Sequence, residues 1–325
     1  MDADPHRRGL TGPRGSLGID AWRPGRATPS FPVVIRFGPA GWDYPDWKGT
    51  VYPRPAPRGF DPLAYLARWF DTVELNSTFY RPQRAEVARD WCERVAHRPG
   101  FRFSAKLWKR LTHEREAYGA EEVQAARSAL DALHEEGRLG AVLVQFPWSF
   151  RRDAPALEWL RDLWRALSGL PLVVEVRHAS WNVPETYAEL TERGVGFVNL
   201  DQPLFRNSIA PSAVATAPIG YVRVHGRNYR DWFREKAGRD ARYDYLYTAE
   251  ELAPWAERAK ALAATPRVED VYVVTNNHFR GQAVANAAML QAMVEERRVD
   301  APPDLAARYA GVLAPFVNGQ TSLPL

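Results

Sequence analysis

Glu74, Lys106, Glu175, Arg177, Arg223 and His225 stand near the ends of the runs TVELNS, FRFSAK, LVVEVR and GYVRVH. In each run they alternate with Val, Leu, Phe or Ala, the period of two that belongs to a strand with one apolar face. Glu74 and Glu175 are a candidate acid–base pair, because crowded carboxylates beside cations have their pKa values driven apart. Asp201, in VGFVNLD, and His225 complete that catalytic set. Lys106 is read as a charge partner or oxyanion ligand, or as a Schiff-base amine if it is desolvated beside Arg177. Arg177 and Arg223 carry forked donors that match phosphate or carboxylate oxygens. A rival reading makes Glu74, Glu175, Asp201, His225 and His278 metal ligands of a hydrolase or isomerase. Three neighbouring cations would repel a divalent ion and no compact H-E-x-x-H motif occurs, so neither metal nor cofactor is assigned.

Such residues need a frame that brings distant strand ends together. Eight β-branched or aromatic runs begin at Val33, Thr72, Phe101, Gly140, Leu172, Val195, Gly220 and Asp270. Helical patterns separate them, beginning at Asp61, Pro82, Ala120, Ala154, Pro184, Thr248 and Gly281, while the stretch after Pro203 carries the weakest one. Eight strand and helix units over roughly 265 residues fit a single α/β domain, the (β/α)8 barrel, better than an open doubly wound sheet. In a barrel one parity meets the outer helices and the other points inward. Val73, Leu75, Phe103, Ala105, Val142, Val144, Phe146, Val174, Val176, Val198, Leu200, Val222 and Val224 take the outward parity. Glu74, Asn76, Lys106, Gln145, Glu175, Arg177, Asn199, Asp201, Arg223 and His225 then point inward, and Asn276, Asn277 and His278 end the eighth strand. Unpaired buried charge costs several kcal/mol, so this polar ring either satisfies itself or waits for a ligand at the C-terminal mouth. The second alternative is preferred, and under it Glu175→Gln is expected to be neutral or stabilising.

The loops supply further binding candidates. Gly38 and Gly41 in GPAGW let backbone N–H groups approach a ligand, or else make a tight turn. Trp42, Phe79, Tyr80, Trp148 and Trp181 follow strand ends and offer stacking faces, with rim packing as the alternative. The insert from Gly226 to Tyr247 interleaves Arg227, Arg230, Arg234, Arg239 and Arg242 with Tyr229, Trp232, Tyr243 and Tyr245. That mixture suits a lid over an anionic, stackable ligand, or a solvated loop anchored by aromatics.

Composition removes whole classes. The chain has 325 residues, 46% of them hydrophobic and 25% charged, which is globular composition. Its one cysteine, Cys92, rules out an internal disulfide or a thiolate cluster and fits a reducing cytoplasm. No apolar run approaches the roughly 18 residues of a membrane span. Net charge is only +4, so a dedicated nucleic-acid face is weakly supported. Residues 1–30 are basic, rich in Pro, Gly and Arg, and without hydrophobic periodicity, which predicts a disordered tail.

The motifs GPAGWDYPDWKG, TVELNSTFYRPQ, FSAKLWKRLTH, VQFPWSF, VEVRHASW, DQP, YVRVHGRN and NNHFRGQAVANA, in that order, resemble the YecE-like family, domain of unknown function 72. The resemblance runs from about Phe37 to Leu290. It implies a (β/α)8 barrel and leaves the reaction open, and its motifs add His113 to the binding set. Thr275 departs from it, since an aromatic residue is expected before the Asn pair. The expectation is therefore a cytoplasmic protein with a tail over 1–30, a YecE-like barrel over 31–300 and a C-terminal extension over 301–325. Its function is expected to be enzymatic, on a small phosphorylated or nucleotide-like substrate. A non-catalytic nucleotide or nucleic-acid binder is the alternative from a different class. No oligomeric state is specified.

Overall fold

In the computed structural model, which describes residues 33–232, 234 and 241–319, each of the eight runs becomes a parallel strand. They are β1 Val34–Pro39, β2 Thr72–Leu75, β3 Arg102–Lys106, β4 Leu139–Gln145, β5 Leu172–Glu175, β6 Gly196–Asp201, β7 Ile219–Val224 and β8 Asp270–Thr275. Hydrogen bonding orders them β1-β8-β7-β6-β5-β4-β3-β2. The barrel nearly closes between β1 and β2, where Gly41 N donates to Glu74 O at 2.8 Å and Asp71 N to Phe37 O at 3.2 Å. That seam is why Gly38 is glycine, since a Cβ there would lie 1.8 Å from the Thr72 carbonyl oxygen. Gly41, at φ +83°, spends its N–H on Glu74, so the expected cradle of free backbone donors is instead a tight closing turn.

Helices line the outside wherever capping and an apolar stripe permit. Asp61 accepts from Leu63 N and Ala64 N ahead of Pro62–Leu66, and Asp153 accepts from Ala156 N ahead of Ala154–Ala166. Thr248 caps Ala249–Ala263 in a reciprocal box with Glu251, at 3.3 and 3.0 Å. Thr248→Ala should therefore lose about 1 kcal/mol in urea unfolding with an unchanged slope; a loss indistinguishable from zero would show that the cap contributes nothing. Thr275, where an aromatic was expected, is fully buried and donates to Ala283 O at 2.8 Å, tying β8 to the helix Gln282–Glu295. Beyond residue 300, Pro303–Arg308 and Ala310–Leu313 are helical, with Leu305 and Leu313 fully buried. The expected tail over 1–30 lies outside the described residues. None of the described helices is long and apolar enough to cross a membrane.

Between β6 and β7, residues 202–218 form no helix. This gap overturns the parity expected for β6. Val198 pairs in register with Tyr221 and Leu200 with Arg223, so Val198 and Leu200 fill the interior while Asn199 and Asp201 face outward. An outward face normally has to be apolar because a helix covers it. Here the irregular crossover offers polar groups instead. Asn199 accepts from Ser212 Oγ at 2.7 Å and from Val214 N at 2.8 Å, and it donates to Val214 O at 3.0 Å.

Candidate functional site

At the C-terminal ends of the strands the inward polar residues of β2, β5 and β7 meet in one network. Arg223, only 1% exposed, donates from Nη2 to Glu74 Oε1 at 2.6 Å, from Nε to Glu74 Oε2 at 2.9 Å and from Nη1 to Glu175 Oε2 at 2.9 Å. Both carboxylates are completely buried. Tyr221, two residues before Arg223 and on the same face, donates to Glu74 at 3.1 Å and lies 2.9 Å from the Ser104 hydroxyl. Glu175 Oε1 receives Arg177 Nε at 2.9 Å and stands 3.2 Å from His225 Nε2. With the Nε2–H of His225 donating to Glu175, its Nδ1 accepts from the Asn276 amide at 3.0 Å.

This geometry revises the expected acid–base pair. Burial alone would raise the Glu175 carboxyl, but the Arg223 charge foremost, with Arg177 beside it, holds it well below the ordinary range. That favours the ionised form, which suits a charge partner of the two guanidinium groups better than a general acid. Burial pulls His225 down to about 3, outweighing the attraction of Glu175, so the imidazole is neutral and adds no positive charge. Arg223 has all three nitrogens committed and holds the carboxylates together rather than reaching for an anion.

Above this floor opens a cavity of about 780 Å³, lined among others by Gly41, Trp42, Asn76, Phe79, Tyr80, Lys106, Gln145, Arg177, Arg223, Asn276 and His278. Lys106 is the charged strand residue that this network leaves over. Its amine sits 3.7 Å from the centre of the Phe79 ring and has no hydrogen-bond or ion-pair partner among the described residues. Burial, then the nearby Arg223 charge, bring it down to about 7, despite the opposing pull of Glu74 and Glu175. Arg177 is 15% exposed at its side chain, and its Nη1 has no acceptor among the described residues. His113 stands beside the cavity, its ring edge on Phe79 at 4.8 Å and its Nε2 3.5 Å from the Gln145 amide. Burial, with Lys106 and Arg177 next, takes it to about 3.

Three expected site residues lie elsewhere. Asp201 faces out to Arg227, at 2.9 and 3.1 Å, and accepts from the Tyr247 hydroxyl, so it anchors the insert and not the mouth. Trp181 is core, 1% exposed, stacked on Phe150 and donating to Phe150 O at 2.8 Å. Asn277 is fully buried and donates to Tyr245 O and Asn286 Oδ1 at 2.7 and 2.8 Å, bracing the end of β8. The cationic reading of the insert also weakens. Arg227 is paired with Asp201, Arg230 and Arg234 with Asp231 at 3.0 and 3.2 Å, and Arg239 lies outside the described residues. The insert nevertheless reaches the mouth. Trp232 puts its edge on His225 at 6.2 Å and lies 5.7 Å from the Arg177 guanidinium. Tyr243 lines the cavity against His278, which stacks on Tyr44 at 4.4 Å.

The cavity also recruits residues that strand periodicity does not single out, including Tyr44, Ser77, Arg81 and Arg94. They lie in loops and in two helices, Ser77–Tyr80 and Ala85–Arg94, where no alternation marks them. Tyr221 and Ser104 were within reach, because each shares strand parity with an inward charged neighbour, Arg223 and Lys106.

The family model described as "Protein of unknown function DUF72" matches residues 36–308. The chain is similar to the UPF0759 protein YunF of Bacillus subtilis (strain 168), 26% identical over 276 residues that span 81% of this chain and 95% of YunF. It is 28% identical to the UPF0759 protein YecE of Escherichia coli (strain K12) over 217 residues, 62% of this chain and 67% of YecE. Among solved structures, a DUF72 family protein from Thermotoga maritima MSB8 superposes with a TM-score of 0.69 at 33% identity, covering 81% of this chain and 99% of that one.

Proposed function

The chain belongs to the DUF72 family, a family without an assigned reaction, and we propose that its barrel mouth is the active site of an enzyme acting on a small anionic substrate. One observation carries this reading: on the floor of the mouth Lys106 is a cation beyond those that pair with Glu74 and Glu175. Glu74 and Glu175 are matched by Arg223 and Arg177, and the Lys106 charge is left without a partner among the described residues. A phosphate or carboxylate between Lys106 and the unused Nη1 of Arg177 offsets that surplus. The cavity volume suits a ligand up to nucleotide size, and Trp42, Tyr44, Phe79, Tyr80 and Tyr243 supply apolar and stacking surface around it. A divalent metal fits this floor poorly. Its two carboxylates are already bound by guanidinium groups, and no three His, Cys, Asp or Glu side chains converge as a metal site among the described residues.

Thermal unfolding with inorganic phosphate, a nucleoside monophosphate and a sugar phosphate tests the reading. A ligand present at about a hundred times its Kd stabilises the native state by about 2.7 kcal/mol. At least one of the three should raise the midpoint by several degrees in wild type and not in Arg177→Gln. If none of these anions shifts wild type, the site assignment fails.

A further inference from the structure

Lys106 differs from other lysines of the chain in its company. Lys109 and Lys260 donate to Glu114 and Glu296 at 2.5 and 2.7 Å on the surface. The Lys106 amine instead lies at the wall of the cavity against the face of Phe79, and the two carboxylates nearest its charge are taken by Arg223 and Arg177. As a fixed positive charge it is a poor choice, because burial and Arg223 leave it near half-protonated at neutral pH, at about 7. Arginine keeps its charge throughout that range. Arg177 and Lys106 thus divide by chemistry: Arg177 is a permanent cation suited to an anion, and Lys106 is an amine with an available lone pair.

We propose that Lys106 is a nucleophile that forms a Schiff base with the substrate's carbonyl carbon, and that the substrate class is a small aldehyde or ketone bearing the phosphate or carboxylate held by Arg177. This rests on the anionic-substrate reading and deepens it. The neutral amine attacks the carbonyl carbon, a C–N bond forms, and the carbonyl π pair moves to oxygen, which takes up a proton. The carbinolamine then loses that oxygen as water while the nitrogen lone pair closes the C=N bond, leaving a cationic iminium. Carbonyl and protonated lysine therefore give iminium and water, and no oxidant or reductant is consumed.

The surroundings suit each stage. Phe79 covers one side of the amine, and its face favours the cation that forms. Glu74 and Glu175 lie close enough to favour positive charge on Lys106, and hence on the iminium that replaces it. His113 is neutral beside the cavity, so it adds no further positive charge against the iminium.

The chain has five lysines, at 48, 106, 109, 236 and 260, so peptide mapping assigns every adduct. Wild-type protein is incubated with glyoxylate, glycolaldehyde phosphate or uncharged glycolaldehyde, each with sodium borohydride, and digested. The expected result is labelling of Lys106 about tenfold or more faster than at any other lysine with the two anionic carbonyls, slower with glycolaldehyde, and competed by inorganic phosphate. Its rate should rise across neutral pH as Lys106 loses its proton. Equal labelling of all lysines overturns the proposal. An unlabelled Lys106 in a protein that phosphate still stabilises overturns the covalent step and leaves the anion site standing. Lys106 labelled as fast by glycolaldehyde as by glyoxylate, without phosphate competition, overturns the anionic class itself. Lys106→Arg keeps the charge and removes the nucleophile, so it should retain the phosphate-induced stabilisation and yield no adduct at position 106.

Discussion

Arg223→Met should lose about 4 kcal/mol of folding stability at neutral pH, the scale of breaking a buried ion pair by removing one partner. The substitution strands two carboxylates that are both completely buried. Glu175 keeps Arg177 and His225, whereas among the described residues Glu74 keeps only the Tyr221 hydroxyl, at 3.1 Å. The pH dependence distinguishes this cause from a mere cavity. In wild type the Glu175 carboxyl is held well below its ordinary value, so its stabilisation is complete above the unfolded pKa and is lost only as pH falls through the lower folded one. In the variant Glu175 loses the Arg223 part of that lowering, so the deficit should narrow as pH falls from about 5 to about 3. Urea unfolding at both pH values checks this, and a deficit below about 1 kcal/mol, or one indifferent to pH, counts against a charge-locked floor. The same geometry changes the expectation for Glu175→Gln. Three donors converge on that carboxylate, so the substitution should destabilise by about 2 kcal/mol instead of being neutral.

The alternation of polar and apolar residues along the chain makes most of this floor legible in the sequence. In β2, β5 and β7 a covering layer forces one parity to be apolar, and the other parity then identifies Glu74, Glu175, Arg177, Arg223 and His225 as a group. The rule fails on β6 because its premise fails there. Residues 202–218 supply backbone and hydroxyl partners in place of an apolar helix, so Asn199 and Asp201 turn outward without penalty. Pairing is the second thing that alternation hides. Counting charges shows that three cations and three carboxylates can balance, but only the geometry shows that Asp201 spends its charge on Arg227 outside the mouth. Removing one carboxylate from the ring converts a balanced cluster into one with a surplus amine. Glycine is ambiguous for a related reason, since the freedom that admits a ligand also admits a neighbouring strand, and at Gly38 that neighbour is the Thr72 carbonyl. Trp181 and Trp42 look alike as aromatic residues after strand ends, yet one is sealed against Phe150 and the other lines the cavity.

Lys106→Met should yield a protein more stable than wild type that forms no adduct at position 106. A free lysine holds its proton to about pH 10.4, whereas Lys106 in the folded chain gives it up at about 7. Between those values the unfolded chain binds more protons than the folded one, so wild-type stability rises with pH across that interval and carries its full penalty below it. Methionine fills similar space and sheds the cost of desolvating an ammonium group against Phe79 and Arg223. The variant's advantage should therefore be widest near pH 6, on the order of 2 kcal/mol, and should shrink towards zero by about pH 10. Phosphate tests the same residue from the other side. An anion in the mouth compensates the buried charge, so saturating phosphate should narrow the gap at pH 6 by stabilising wild type more than the variant. Denaturant titrations at pH 6, 8 and 10, with and without phosphate, separate the outcomes. A variant less stable than wild type by more than about 1 kcal/mol at pH 6 makes the amine a structural partner, and the mouth then loses its unpaired charge together with its claim to chemistry.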